Sequence, residues 1–134
     1  MHTFIALAVV LAACVTTDDI PVRTYEGKLS YGTVELTGWL DTRGELRLFS
    51  SRNAMEEDAE YPQCVSGVSQ NHSSKKFVRF SKRHVRVRAS VWDFDTLPNE
   101  ADYELARKVL GNSIITNWCR GPKVLLIENV EAIR

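Results

Sequence analysis

Apolar and polar residues alternate with a period of two along several stretches of this chain. In Thr33-Val-Glu-Leu-Thr-Gly-Trp-Leu40, Val34, Leu36 and Leu40 fall on one side and Glu35, Thr37 and Trp39 on the other. Successive side chains of a strand point to opposite faces, so this pattern predicts a strand with one face toward a core. Glu45-Leu-Arg-Leu-Phe-Ser50 alternates likewise, and Asp41-Thr-Arg-Gly44 between the two runs supplies turn residues, which predicts a hairpin. After Pro62 a short strand is expected over residues 63–68, QCVSGV. The clearest alternation follows, with Val85, Val87, Ala89 and Val91 on one face and His84, Arg86, Arg88, Ser90 and Trp92 on the other. A final strand over residues 123–133 slips phase around Glu128, which predicts a bulge.

Elsewhere the period changes or disappears. Residues 51–61 are polar and acidic, and read as a surface loop or a short irregular helix; residues 70–74 read as a polar turn. Residues 99–110 take a helical period, with Asn99 as cap, Glu100, Asp102 and Glu104 near the start, Arg107 and Lys108 in the last turn, and Gly111 as terminator. Ala101, Leu105, Val109 and Leu110 would form its buried stripe. Residues 14–24 lack periodicity and read as a tether, leaving residues 25–134 as one domain.

A hairpin, a long third strand, a helix and returning strands give the order β-β-β-α-β-β. With the phrases VELTGWLD, RHVRVRASVWDF and VLLIENVEAI, residues 30–133 resemble the OB-fold. The resemblance implies a mainly β, five-stranded small barrel with one helix that serves as a binding scaffold. Another small α+β fold, or a sandwich-like sheet with one helix, is the alternative.

Residues 4–15 are apolar throughout, a length that suits a signal peptide better than a membrane span, although Met1-His2-Thr3 brings no Lys or Arg. They close on Leu11-Ala12-Ala13-Cys14, immediately before a polar segment. This tetrad resembles the lipobox of bacterial lipoproteins. Small residues there admit a protease, and the thiol carries a diacylglycerol. The resemblance implies removal of residues 1–13, lipidation of Cys14 with palmitate-like chains, and firm membrane anchoring, since each buried methylene contributes about 0.8 kcal/mol. Val15, rather than Asp, follows the cysteine, which implies sorting to the outer membrane with the domain facing the periplasm.

Of three cysteines, Cys64 and Cys119 then remain, and in an oxidising compartment they are expected to form a disulfide. The rival is a zinc site of Cys64, His72, His84 and Cys119, whose spacing fits no compact ligand motif. Lys and Arg number 17 and so do Asp and Glu, so net charge lends no support to a nucleic-acid partner.

Between His72 and Arg88 there are nevertheless seven basic residues, Lys75, Lys76, Arg79, Lys82, Arg83, Arg86 and Arg88, and no acid, with Phe77, Phe80 and Trp92 close in sequence. Cations beside aromatic faces suit single-stranded nucleic acids or an anionic lipid surface. The simpler reading is a solvated strand face, with Arg86 and Arg88 paired to Glu35 and Glu45. The possible binding face is Trp39, Arg47, His84, Arg86, Arg88 and Trp92. Trp39, Trp92 and Trp118 would line a sugar surface or, more simply, cover the core. Asp93 and Asp95 suggest a cation site or a solvated strand end. No HExxH, GxSxG, CxxC or phosphate-cradling glycine pattern is present, and a Ser81–His84 pair lacks a placed third partner, so neither catalysis nor a metal or other cofactor is expected. The expected function is binding or scaffolding at the cell envelope, the partner being an envelope protein, a glycan or an anionic lipid. An inhibitor or immunity-type protein that blocks an envelope-directed enzyme is the alternative.

Overall fold

The computed structural model describes residues 23–69, 74–96 and 115–134. Cys14 and its leader, most of the expected turn at 70–74 and the expected helix at 99–110 lie outside these residues. The elements are β1 (Gly32–Asp41), β2 (Leu46–Phe49), helix α1 (Arg52–Glu56), β3 (Cys64–Ser69), a 3-10 helix (Ser74–Phe80), β4 (Arg83–Asp93), a short 3-10 turn (Phe94–Thr96) and β5 (Lys123–Ala132). They close into a barrel in the order β1-β2-β3-β5-β4, the five-stranded OB-like architecture.

Alternation decides which way each strand faces. β1 pairs with β2 at one end and with β4 along its length, from Gly32 opposite Val91 to Leu40 opposite Arg83. Leu36, Leu40, Leu48, Val65, Val85, Val87 and Ala89 thereby meet Leu125, Ile127 and Val130 in one core. Across β4–β5, Arg88 lies opposite Asn129 and Ala89 opposite Ile127, so Glu128 is the extra residue of a bulge at the position where the sequence slips phase.

The strand RHVRVRASVWD is the fourth and not the third, because the short strand after Pro62 is β3, antiparallel to β2 and parallel to β5. The helical element between β3 and β4 is the 3-10 helix. With three residues per turn, Phe77 and Phe80 share one side, and both are buried in the core. Their rings are therefore not stacking platforms.

All six residues of β3 are buried, more than a one-sided strand requires. The segment 115–121 is the cause, since it crosses the outer side of β2 and β3. Cys119 is joined to Cys64 by a disulfide, with Cα atoms 5.4 Å apart, and its N–H donates to Ser66 Oγ at 3.0 Å. The buried carboxylate of Glu45 accepts the N–H groups of Thr116, Asn117 and Trp118 at 2.6, 2.7 and 2.8 Å. Ile115 packs on Val68 and Leu126. The β2–β3 side, where OB barrels commonly receive ligands, is thus covered by the chain itself.

Beside the disulfide, Tyr25 folds over β1. Its N–H donates to the Pro62 carbonyl at 2.7 Å and its hydroxyl to the Thr37 carbonyl at 2.9 Å. Gly38 permits this, because a β-carbon there would collide with the Tyr25 hydroxyl and the Phe49 carbonyl. Burial pushes the Tyr25 phenol up, so it stays a neutral donor. Among the described residues, no helix is long and apolar enough to cross a membrane.

Candidate binding groove

Trp39 and His84 are outward-facing register partners on β1 and β4, and their rings stack with centroids 5.3 Å apart. The Arg52 guanidinium, at the start of α1, lies over the Trp39 ring at 5.6 Å. The chain from Arg23 to Lys28 forms the opposite wall. Between them runs a solvent-open groove of about 400 Å³.

The lining of this groove has one sign of charge. Arg23, Lys28 and Arg52 contribute cations, His84 an imidazole, and among the described residues no Asp or Glu lines it. Arg52 bonds Glu56 one helical turn on, at 3.3 Å, with both side chains exposed, a pairing that contributes little and exchanges readily. Arg23 and Lys28 form no ion pair among the described residues. Ser51 caps α1 by accepting the Ala54 N–H at 3.0 Å. Its neighbour Ser50 has a buried hydroxyl with no hydrogen-bond partner among the described residues.

The face expected from sequence divides into separate places. Trp39 and His84 come together at the groove. Arg86 and Arg88 continue the outward row of β4, but reach Glu131 and Glu128 on β5 at 3.8 and 3.6 Å. Glu35 does lie opposite Arg88 on β1, whereas Glu45 is taken up by the three backbone N–H groups. Trp92 is eight positions beyond His84, about 26 Å along the strand, and packs against Val68 and Leu126.

Arg47 is nearly buried. Its guanidinium meets Asp41 at 3.4 Å and Asp58 at 2.9 Å, and lies over the Phe49 and Trp118 rings at 5.2 and 5.3 Å. It belongs to the framework beneath the crossing segment. Trp118, half-exposed, seats its ring on Gly44, whose positive φ and missing side chain make room. The three tryptophans form no common platform.

Asp93 and Ser81, two of the remaining polar candidates, have internal partners. Asp93 accepts the Tyr31 hydroxyl at 2.9 and 2.8 Å, and this hydrogen bond, chiefly, raises the Tyr31 phenol. Asp95 lies in the short 3-10 turn after β4. The Ser81 hydroxyl accepts the Thr42 N–H at 3.3 Å. The zinc alternative loses both thiols to the disulfide, with His72 outside the described residues. No group of three or more His, Cys, Asp or Glu side chains is placed to hold a metal ion among the described residues.

Sequence reasoning missed Arg23, Lys28, Arg52 and Ser50. Two fall in or beside what reads as a tether and two in or beside an acidic loop, and no linear spacing unites them. Gly38 before Trp39 was the available signal, since a glycine within a strand marks the close approach of another segment. Compared with known proteins, the chain matches no family model, and no curated protein or solved structure resembles it significantly.

Proposed function

We propose that this chain is a lipid-anchored envelope protein, held at the membrane through Cys14 and facing the periplasm, whose barrel works as a binding or scaffolding module. The observation that carries this reading is the disulfide. With Cys64 and Cys119 joined on the outer side of β3, Cys14 is the third cysteine, and it stands at the end of Leu11-Ala12-Ala13 and an apolar leader. A structural disulfide belongs in an oxidising compartment, the same address that the leader implies. The groove supports the binding part, because it brings fixed cations and a stacked aromatic pair to an open surface.

Metabolic labelling with palmitate and fractionation of cells test the anchor. The wild-type chain takes up label and sediments with outer membranes, while Cys14→Ser does neither. An unlabelled wild-type chain in the soluble fraction overturns the anchor, and label at inner membranes overturns the sorting that Val15 implies.

A further inference from the structure

We propose that the groove between Arg23, Lys28, Trp39 and Arg52 binds a phosphate group, supplied by the headgroups of the membrane to which the chain is tethered. The choice of source rests on the lipid anchor proposed above; the phosphate chemistry rests on the groove itself.

Two arginines, a lysine and an imidazole line it from segments far apart in sequence, and among the described residues no carboxylate lines the space. Guanidinium groups match the oxygens of a phosphate in paired, charge-assisted hydrogen bonds, and lysine adds a point charge. Several cations around one space suit an anion that presents several oxygens. The Trp39–His84 stack gives the site a fixed floor, and about 400 Å³ is room for a polyol phosphate rather than for a bare ion alone.

The contrast with the other cationic row is internal to the barrel. Arg86 and Arg88 are answered by Glu131 and Glu128, so that face is balanced. In the groove the one cation with an ion pair among the described residues is Arg52, through an exposed partner. Position favours the membrane as source. Arg23 follows Cys14 by nine positions, so even an extended tether keeps the groove wall within about 30 Å of the lipid attachment.

The full chain, purified in an uncharged detergent, is titrated with dihexanoyl phosphatidylglycerol and separately with inorganic phosphate. The readout is the NMR signals of the His84 ring and the Arg52 Nε–H. Saturable shifts of both are expected, with phosphatidylglycerol binding the tighter. Arg23→Gln combined with Arg52→Gln, read at His84, weakens binding at least tenfold, while Arg86→Gln combined with Arg88→Gln leaves it within twofold. Absence of saturable shifts with both ligands overturns the proposal, as does equal loss in the two double variants. Inorganic phosphate binding as tightly as the lipid overturns the membrane source and upholds the phosphate site. The titration does not depend on acylation, so its failure leaves the palmitate result standing, and an unlabelled Cys14 leaves the phosphate site standing.

Discussion

Asp41 is fully buried at the end of β1, and three groups keep its carboxylate ionised there. Arg43 donates its backbone N–H at 2.9 Å and its guanidinium at 2.9 and 3.2 Å, and Arg47 adds a second guanidinium. Burial pushes the acid up, but the Arg43 hydrogen bonds and the two cationic charges outweigh it and leave the carboxyl below its usual range. A carboxyl depressed in the folded state stabilises fully above its unfolded value, near about pH 4, and that stability is lost as pH falls through the lower folded value. Urea unfolding at pH 6 and pH 3 checks this: wild type loses more stability between the two than Asp41→Asn does. Equal losses would contradict the account. At this scale the sequence marks Asp41 only as a turn residue. Its burial follows from the packing of Arg43 and Arg47 around it and of Ser81 and Lys82 against its neighbours, which no local pattern encodes.

Among the elements, β5 carries its own correction. Strict alternation from Leu125 and Ile127 would send Asn129 inward and Val130 out, reversing the end of the strand. The bulge at Glu128 restores Val130 to the core, and the displaced Glu128 carboxylate accepts the Ser90 hydroxyl and meets Arg88. Val130→Ala is therefore expected to cost roughly 2 kcal/mol, from lost burial and the space left behind, and Asn129→Ala close to nothing. Chemical denaturation of the two variants reads the phase directly, and a reversed order of cost would place the bulge elsewhere. This phase slip was legible because the apolar pattern itself changes register. The order of the elements was less so. RHVRVRASVWD reads as a strand from its alternation, but its place as fourth, beside both β1 and β5, depends on pairings between residues distant in the chain.

For the molecule as a whole, the disulfide fastens the crossing segment over β3 and closes a long loop, its cysteines being 55 positions apart. Loop-closure entropy at that separation corresponds to about 4 kcal/mol, so a Cys64→Ala, Cys119→Ala chain is expected to unfold at markedly lower denaturant concentration. Thermal or urea unfolding measures it, and an unchanged midpoint would mean that Glu45 and Ser66 hold the segment without the covalent bond. The sequence by itself determined the strands, their inward faces, the bulge and the OB-like class, because each is written in a short period that local sterics and burial enforce. It also led to the pairing of Cys64 with Cys119, by count and the expected compartment. Only the tertiary structure decided what is open for binding. Packing of the segment before β1 and of α1 against the barrel gathers Arg23, Lys28, Arg52 and His84 at one groove, while β5 pairs Arg86 and Arg88 and the crossing segment covers the β2–β3 side. The physical reason is that burial and charge balance at a surface depend on which distant residues become neighbours, and that is settled by the packing of the whole chain.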